Sequence, residues 1–456
     1  MKTFSKFCVL LVAVLAAGSA NAIACTIVSG TDSQGTTWAG NNEDMLFHFG
    51  TSLKILPREK HKLGAMIVTY SNGYPQGGVN EKGLFFDFNA LSPLPISSDP
   101  NWDKKRNVPR GENIVLEMLQ RFDNVHSAIE YLSQYRGMLA EQMHIADAQG
   151  NLAVFAGDGY CYKKGYQVST NFRVCAGDIN AILASDPVGL WRYPLAVANL
   201  KDRVNRANIK KALQDTAQKK MSSTIYSFIA NLNTTDIELY YGNDFEHSYQ
   251  FNVREMASQG AKSMLMRELF PNSPLVKLWS AYKNQGVEEA LSYFRNGTAG
   301  MPAAARQELL RHLYTNLLLD IDPGSLDFAS AEVFFNEWMK GERNGTEVFF
   351  QGIFALTHGD YAKARKIYAG LTAQAIVDRI DGKKVPDANV HVELPGYQDA
   401  KFVYVNRLSK GFGFFDFLTR TETGWAGDFN ALYPNSNYEI VVDGVVVKRR
   451  YDRPQE

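Results

Sequence analysis

Cys25 is the residue whose type and position in this sequence best fit covalent chemistry. It follows a basic segment with Lys2 and Lys6, a short apolar run and a stretch of small residues. That order is typical of a secretory leader and its cleavage site, and the apolar run is too short for a membrane-spanning helix. We therefore expect residues 1–24 to be removed and the mature protein to be secreted or periplasmic.

Two cleavage sites overlap ahead of Cys25. Cleavage after Ala22 leaves Ile23 and Ala24 in place, whereas cleavage after Ala24 makes Cys25 the first residue. The sequence does not choose between these two sites. The same segment is a degenerate lipobox, and lipidation would block the α-amine of Cys25. Two features argue against lipidation, because Ala22 stands where such sites usually carry a large aliphatic residue and Cys25 enters an apolar strand without a flexible polar tether.

A cysteine attacks only as a thiolate, and an ordinary thiol with a pKa of about 8.5 is mostly protonated at neutral pH. A cysteine at the N-terminus carries its own base, because its α-amine has a reference pKa of about 7.7–8.0 and lies next to the thiol. Cleavage immediately before Cys25 provides that amine. This combination predicts an N-terminal nucleophile that attacks the carbonyl of an amide.

Such a site also needs a carboxylate that orients the amine and donors that stabilise the oxyanion of the tetrahedral intermediate. Asp44 ends the second strand of the hairpin that Cys25 begins, so the chain returns it to the thiol. Asn89 and Asn171 each end an apolar strand and are candidate donors. Because all three are also common turn residues, their assignment depends on Cys25.

Short apolar segments separated by turns run from Cys25 to about Tyr249 and predict strands and hairpins. Helix-period segments at 113–121 and 125–134 interrupt them. Strands with helices between them indicate an α+β protein built from stacked layers. We expect this first domain to span residues 25–252.

Beyond the first domain, helical periodicity dominates, and the final segment returns to strands around an Asp443-Gly444 turn. The stretch from Gly352 to Ala364 resembles one tetratricopeptide hairpin, and Gly286 to Ala290 is a weaker second. A stable solenoid needs about three repeats, so we expect a helical adjunct instead. The predicted regions are a helical, tetratricopeptide-like segment at 253–385 and a small β module at 386–456.

Four short motifs occur in a specific order along the first half of the mature chain. They are Cys25-Thr26, Asn41-Asn42-Glu43-Asp44, Val79-Asn80-Glu81-Lys82-Gly83-Leu84 leading to Asn89, and Ser169-Thr170-Asn171-Phe172. Their order and spacing resemble those of the cysteine N-terminal-nucleophile hydrolases. This group comprises choloylglycine hydrolases, penicillin V acylases and the related penicillin acyltransferase-type enzymes.

The resemblance implies a four-layer αββα fold and hydrolysis of a linear carbon–nitrogen amide through a thioester, without a metal or other cofactor. It implies that Cys25 is the nucleophile and, through its amine, the base, and that Asp44 holds the amine. Asn89 and Asn171 would serve the oxyanion and the substrate carbonyl.

A later active-site arginine of this group is matched by Arg192, with Arg203 and Arg173 as alternatives. Many members have arginine where this chain has Asn41, which can form hydrogen bonds but cannot neutralise a charge. The candidate substrate-binding residues beside the motifs are Asn41, Asn42, Trp38 and Phe88.

Four cysteines are present, and Cys8 leaves with the leader. Cys161 and Cys175 are close enough in sequence to form a disulfide in an oxidising compartment, although two free buried thiols are equally consistent with the sequence. Cys25 is then the odd cysteine, which marks it as a candidate reactive thiol.

The charge is balanced, with 48 basic and 48 acidic side chains, which argues against nucleic-acid binding. The eight histidines lack a zinc-site spacing, and no nucleotide loop is found, so we expect no cofactor. The function predicted is that of an exported amidase or acylase for a small N-acyl amide. The alternatives are an acyltransferase that uses the same thioester, and a non-catalytic envelope lipoprotein that binds a protein partner through its helical region.

Overall fold

The computed structural model describes residues 25–47, 49–70, 73–91, 94–109, 112–185, 190–219, 223–319, 324–341, 346–382, 390–407, 415–429, 438–443 and 445–450. The predicted leader, residues 1–24, lies outside the described residues. The chain divides into two compact units, Asn21–Ser273 and Pro274–Glu456, and the sequence placed this boundary earlier, at residue 252. Among the described residues, no helix is long and apolar enough to cross a membrane.

The first unit is rich in strands, as the turn-separated apolar segments predicted. In chain order these are β1 (Thr26–Thr31), β2 (Thr37–Met45), β3 (Ser52–Leu56), β4 (Ala65–Thr69), β5 (Pro75–Asn80), β6 (Phe85–Ala90), β7 (Glu141–Ala146), β8 (Leu152–Ala156), β9 (Gly159–Lys163), β10 (Tyr166–Ser169), β11 (Ser223–Asn231), β12 (Asp236–Tyr241), β13 (Asp244–Asn252) and β14 (Lys262–Leu265).

These strands form two antiparallel sheets. In the first sheet the order is β10, β1, β2, β11, β12 and β13. In the second sheet β14 lies beside β3, and β3 to β9 then follow in chain order. Neighbouring strands of the second sheet are joined mainly by hairpins, whereas β1 and β2 of the first sheet lie between strands that come much later in the chain.

The helices of the first unit lie between these strands in the chain. They are α1 (Ile114–Arg121), α2 (Val125–Leu132), α3 (Ile179–Ser185), α4 (Arg192–Leu200), α5 (Arg206–Thr216), α6 (Val253–Ser258) and α7 (Met266–Leu269), with two short 3-10 helices at Ile96–Ser98 and Trp102–Lys104. The predicted helices at 113–121 and 125–134 correspond to α1 and α2. Asn113 and Asn124 cap them, because each side chain accepts backbone N–H groups of the first turn.

Apolar faces of two helix pairs cover the two sheets. Residues of α1 and α2 pack with β4, β6, β7 and β8, and residues of α4 and α5 pack with β1, β10, β11 and β12. The other faces of the two sheets meet, with the rings of Phe85 and Phe228 5.8 Å apart. The hydroxyl of Ser29 also lies 2.7 Å from Nε2 of His144 across this interface. The layers therefore run helix, sheet, sheet, helix.

A tight turn fixes the hairpin that Cys25 begins. The carboxylate of Asp32 accepts the backbone N–H groups of Gln34 and Thr36, each at 2.9 Å. Gly35 takes a φ of 83°, a conformation that costs glycine little. The turn sets the register in which Thr26 pairs with Asn42, and it thereby brings the end of β2 back to Cys25.

The second unit begins with helices. They are α8 (Pro274–Gln285), α9 (Val287–Gly297), α10 (Ala303–Leu319), α11 (Phe328–Trp338), α12 (Thr346–Thr357), α13 (Tyr361–Gly370) and α14 (Gln374–Ile380). Helices α8 and α9 are separated by Gly286, which takes a φ of 91° between them.

Helices α12 and α13 form the helix–turn–helix expected between Gly352 and Ala364. Gly352 allows their close approach, since a Cβ atom there would lie 2.6 Å from the ring of Tyr368. The hairpin is therefore present, and its identity as a tetratricopeptide repeat stays a prediction.

Two small sheets complete the second unit. Their strands are β15 (Val390–Pro395), β16 (Val403–Arg407), β17 (Phe415–Phe417), β18 (Thr419–Arg420), β19 (Gly424–Phe429), β20 (Tyr438–Val442) and β21 (Val445–Arg450). β20 and β21 pair as the predicted hairpin, while Gly444 of its turn lies outside the described residues. The ring of Phe328 in α11 contacts the ring of Phe402 at 6.0 Å, so the helices and sheets of this unit pack together.

Cys161 and Cys175 form a disulfide, with their Cα atoms 5.6 Å apart. Of the two alternatives that the sequence left open, the bridged one is therefore found. The bond ties β9 to the segment that follows Asn171. Cys25 is the free cysteine of the described chain, and it is buried.

We expect the double variant Cys161→Ser/Cys175→Ser to lower the free energy of unfolding of the first unit by about 3 kcal/mol, because the bond closes a short loop. The measurement is the urea concentration at which the Cys25 thiol becomes reactive, since its burial makes it a reporter of unfolding. An unchanged midpoint would contradict the expectation.

Candidate active site

Cys25 lies directly before β1, where it is enclosed between the two sheets with 5% of its surface exposed. Side chains alternate between the faces of a strand. Val28 packs against the helices, so Ile27 and Cys25 face the second sheet. The β1–β2 register, with Thr26 opposite Asn42, places Glu43 opposite Cys25 on that same face.

The backbone of Cys25 is held from the second sheet by Asn89 at the end of β6. The Nδ2 atom of Asn89 donates to the carbonyl oxygen of Cys25 at 3.1 Å. Nε2 of Gln142 on the neighbouring strand lies 3.5 Å from Oδ1 of Asn89 and also donates to the carbonyl oxygens of Thr170 and Phe172, at 2.8 and 2.7 Å. Gln142 thus links two of the predicted motifs, those of Asn89 and Asn171.

Arg192 connects three further elements of the predicted site. Its Nη1 atom lies 3.4 Å from both Oδ2 of Asp44 and the hydroxyl oxygen of Thr26, and its Nη2 atom lies 3.3 Å from Oδ1 of Asn171. Arg192 is 2% exposed at the first turn of α4. Nδ2 of Asn171 donates to the carbonyl of Ala90 at 2.8 Å, which fixes that amide beside β6.

Asp44 is enclosed by donors on the helix-facing side of the first sheet. In addition to Arg192, its carboxylate accepts hydrogen bonds from the hydroxyl of Thr224 and from Nε2 of Gln218, the latter at 3.2 Å. A bulge in β11 beside Asp44 shifts the register, so that Thr224 pairs with Asp44 and Tyr226 with Glu43.

A second group of acids lies on the opposite face, around the thiol. Glu43 accepts a hydrogen bond from the hydroxyl of Tyr70, and it is 3% exposed. Asp87 lies two residues before Asn89 on β6, so its side chain points to the same face as that of Asn89. Asp87 is fully buried.

This environment raises the pKa of the Cys25 thiol well above its ordinary value. Burial is the main cause, and the negative charges of Glu43, Asp44 and Asp87 act in the same direction. A hydrogen bond from the backbone N–H of Asp44 opposes them. The thiolate is therefore disfavoured, although the charge of the buried Arg192 interacts favourably with it.

The carboxyl groups are also difficult to ionise. Burial raises the pKa of Asp44 to about 7, although Arg192, Thr224 and Gln218 act to lower it. Burial, together with the charge of Asp44, raises the pKa of Glu43 to about 7. The pKa of Asp87 is raised well above its ordinary value by burial and by the charge of Glu43.

Three of the candidate substrate-binding residues do not line the space around the thiol. Asn42 faces α5, where its Nδ2 atom donates to the carbonyl of Leu213 at 2.8 Å. Trp38 lies at the far end of the hairpin and donates from Nε1 to Asp32 at 3.0 Å. Phe88 packs in the core between the second sheet and its helices. The prediction for these three is wrong. Asn42 and Phe88 lie on the helix-facing sides of their sheets, and Trp38 lies at the end of the hairpin away from Cys25.

Asn41 is the fourth candidate, and it does face the interface between the sheets. It is fully buried, and its Oδ1 atom accepts the backbone N–H of Phe228 at 3.3 Å. Because Asn41 is uncharged, it does not balance Glu43 or Asp87.

The alternatives to Arg192 are engaged elsewhere. Arg173 forms an ion pair with Asp158 at 2.5 Å and donates to the carbonyl of Leu139 at 2.7 Å. Arg203 is exposed. Arg192 is therefore the arginine that contacts Asp44 and Asn171.

Sequence analysis missed Glu43 and Asp87 as neighbours of the thiol. The signal was available, because a two-residue period puts Asp87 on the same face as Asn89 and a hairpin from Cys25 puts Glu43 opposite it. It missed Gln142 and Tyr70 because their contribution depends on how the two sheets meet. Among the described residues, no group of three or more histidine, cysteine, aspartate or glutamate side chains is arranged to hold a metal ion.

No family model matches the sequence, and a search of curated proteins finds no match. Solved structures do match, over 53% of this chain. They include a variant of the conjugated bile acid hydrolase from Clostridium perfringens (16% identity, 97% of that chain, TM-score 0.41) and penicillin V acylase from Agrobacterium tumefaciens (16%, 91%, 0.41). A third is the Caenorhabditis elegans ortholog of N-acylethanolamine-hydrolyzing acid amidase (12%, 100%, 0.36).

The resemblance predicted from the motifs is thus also found among solved structures. It is a likeness to amide hydrolases that covers about half of the chain.

The buried acids predict a specific dependence of stability on pH. A carboxyl group whose pKa is raised on folding keeps its proton in the folded state while the unfolded chain loses it, so stability falls as pH rises from about 4.5 to 7. Glu43→Gln removes one such contribution. We expect the variant to lose about 3 kcal/mol less stability than the wild type between pH 4.5 and pH 8.

The measurement is the free energy of unfolding in urea at both pH values. Unfolding is monitored by the reaction of Cys25 with a disulfide reagent that is active at acid pH. The exposed Glu130 of α2 offers a matched control, and Glu130→Gln is expected to behave like the wild type. If Glu43→Gln and the wild type lose the same free energy of unfolding as the pH is raised, Glu43 is not an acid with a raised pKa.

Proposed function

We propose that this chain is an exported amidase or acylase in which Cys25, freed as the N-terminus by cleavage after Ala24, is the nucleophile. The observation that carries the proposal is the enclosure of one free thiol between the two sheets, where Asn89 holds its backbone, Glu43 faces it and Asp44 comes next along the paired strand. The substrate class is a small N-acyl compound with a linear amide.

The reaction begins with transfer of the thiol proton of Cys25 to its own α-amine. The thiolate attacks the substrate carbonyl, and a carbon–sulfur bond forms as the carbonyl π electrons move to oxygen. The resulting oxyanion collapses, the carbon–nitrogen bond breaks, and the leaving amine takes the proton from the α-ammonium. Water then attacks the thioester and releases the carboxylic acid and the thiol.

We assign Asn89 and Asn171 to the oxyanion and the substrate carbonyl. Asn89 uses one N–H on the carbonyl of Cys25, and an amide nitrogen has a second N–H to donate. Asn171 is fixed by Arg192 and by the carbonyl of Ala90. Donors that are held in place before the reaction stabilise a developing charge without further reorganisation.

The electrostatics of the site support a role for the free α-amine. Burial and three carboxylates raise the pKa of the thiol, so a neutral chain extension before Cys25 would leave it protonated. Cleavage adds a basic, ionisable nitrogen within this acidic site. We assign the amine to Asp44, whose carboxylate Arg192 helps to keep ionised.

The burial of Cys25 argues against its use as a lipid anchor. Cys25 is 5% exposed and runs directly into a strand that is paired on both sides. A diacylglyceryl group at this position would have to leave the interface of two sheets.

An acyltransferase would form the same thioester on Cys25, but an amine and not water would attack it. Analysis of the products in the presence of competing amines distinguishes transfer from hydrolysis.

We expect Cys25→Ser to lower kcat for amide hydrolysis by about 1,000-fold or more, because it removes the nucleophile. The measurements are turnover of a panel of chromogenic N-acyl amides and mass analysis of acid-quenched wild-type enzyme for an acyl adduct on Cys25. The double variant Cys161→Ser/Cys175→Ser, which keeps Cys25, is the matched control and should still form the adduct.

Mass analysis of the mature N-terminus provides the second part of this test. An Ile23-Ala24 extension on fully active enzyme, a lipidated Cys25, or turnover by Cys25→Ser at the wild-type rate would each overturn the proposed mechanism.

The pH dependence of kcat/KM should report Asp44. Activity is expected to rise with pH as Asp44 ionises and can hold the amine, with a midpoint at or below about 7 because the α-ammonium adds to Arg192 in lowering the pKa of Asp44. Arg192 lowers the pKa of Asp44, so Arg192→Gln should move this limb of the profile to higher pH. The measurement is kcat/KM from pH 5 to pH 9.

Arg173→Gln is the control, because Arg173 pairs with Asp158 rather than with Asp44. In this variant the rise of kcat/KM on the acid side of the profile should occur at the same pH as in the wild type. An acid limb that stays in place in Arg192→Gln, or moves to lower pH, would show that Arg192 does not act on the ionisation of Asp44.

A further inference from the structure

The acids around the thiol fall into two groups with different partners. Asp44 lies on the helix-facing side of the first sheet, where it has an ion pair with Arg192 and further donors. Glu43 and Asp87 face the thiol on the other side. Asp87 has no ion-pair partner within the described part of the chain.

Asp87 is the unexplained member of this site. It is fully buried, and neither of its carboxyl oxygens has a hydrogen-bond partner among the described residues. The backbone N–H of Phe88 acts to lower the pKa of this carboxyl group, but it does not offset the effects of burial and of Glu43. Burying an unpaired carboxyl group is costly, and native proteins rarely retain one without a use for it.

The neighbouring strand makes room for this carboxyl group. Gly77 on β5 pairs with Asp87, and a Cβ atom at position 77 would lie 2.1 Å from Oδ2 of Asp87. The side chain of Asp87 therefore occupies the space that any other residue at 77 would fill. Glycine at 77 and aspartate at 87 act together to hold an unpaired acid inside the protein.

The location of Asp87 connects it with the reaction. It is two residues from Asn89 on the same face of β6, a separation of roughly 7 Å along a strand. Asn89 bonds to the carbonyl of Cys25, and Glu43 lies opposite Cys25 on the adjacent strand. The charges of both Glu43 and Asp87 act on the Cys25 thiol.

We propose that Glu43 and Asp87 bind a primary ammonium group of the substrate, located a few bonds from the scissile amide. A primary ammonium carries three donors. The two unpaired oxygens of Asp87 and the carboxylate of Glu43 can accept them. This inference rests on the proposed hydrolase function, because the ammonium is placed relative to an amide that Cys25 attacks.

The bound cation has a consequence for the nucleophile. Glu43 and Asp87 raise the pKa of the thiol when they are unpaired and ionised. A cation between them offsets that effect, so binding of the correct substrate favours the thiolate. A neutral amide of the same shape would leave both acids without a cation and the oxygens of Asp87 without any partner, and buried polar groups left unpaired make a site reject an analogue strongly.

The ammonium can belong to the acyl part or to the leaving amine, and matched substrate pairs distinguish the two. For the acyl side, the pairs are glycyl, alanyl and phenylalanyl p-nitroanilides against the same compounds without the amino group. For the leaving side, the pair is N-phenylacetyl-ethylenediamine against N-phenylacetyl-propylamine. We expect a preference of about 100-fold in kcat/KM for the ammonium compound in one of the two sets.

Asp87→Asn keeps the size of the side chain and removes its charge. We expect it to reduce the preference to below about tenfold by lowering kcat/KM for the ammonium compound. Asp87→Glu, which keeps the charge, should retain more of the preference than Asp87→Asn, and the exposed Asp103→Asn should match the wild type. Urea unfolding of each variant separates a loss of preference from a loss of fold.

Binding to Cys25→Ala tests the inference independently of catalysis. Isothermal titration should show that the ammonium compound of the effective pair binds more tightly than its neutral partner, and that Asp87→Asn in the Cys25→Ala background removes the difference. If Cys25→Ala shows the difference and the wild type hydrolyses neither compound, the proposed hydrolase function fails and the ammonium site stands. Equal binding of both compounds, or a preference unchanged by Asp87→Asn, overturns the ammonium site even where amides are hydrolysed.

Discussion

The hydrogen bond from Asn89 to the carbonyl of Cys25 joins the start of one sheet to a central strand of the other. Almost every other feature of the site depends on this connection. It places the thiol between the sheets and not at a chain end in solvent. It also aligns β6 with β1, so that Asp87 is directed to the same space as Glu43. Gln142 supports the connection from β7 by lying against Asn89 and holding the backbone near Asn171.

Burial then decides the electrostatics. The same enclosure that excludes water from the thiol raises the pKa of Cys25 and of the three nearby carboxyl groups. Arg192 is also buried, but it lies on the other side of the first sheet, beside Asp44. The first sheet thus separates a paired acid from two acids that face the thiol, although Glu43 and Asp44 are adjacent in the sequence. Alternation along β2 is the physical reason for this separation.

Much of the first unit could be predicted from local signals. The Asp32 turn, the helix caps at Asn113 and Asn124 and the apolar alternation are short-range features. The return of Asp44 to Cys25 followed from one hairpin. Contacts between the sheets could not be predicted in this way, because the position of β6 against β1 depends on how both sheets pack and not on either segment alone. Asn89 was named as a donor from its position at the end of an apolar strand, whereas the role of Asp87, two residues away, depends on the contact between the sheets.

The positions of the buried acids determine which positive charge can balance Glu43 and Asp87. Arg192 cannot balance Glu43 and Asp87, since it lies on the opposite face and is engaged by Asp44, Thr26 and Asn171. Asn41, on the correct face, has no charge. Neither residue therefore neutralises Glu43 and Asp87, although the charge of Arg192 does act on the Cys25 thiol. The α-amine of a cleaved chain supplies one cation, which Asp44 can hold, and two buried acids remain. A substrate that carries its own ammonium completes the charge balance only while it is bound, which couples formation of the thiolate to the presence of the substrate.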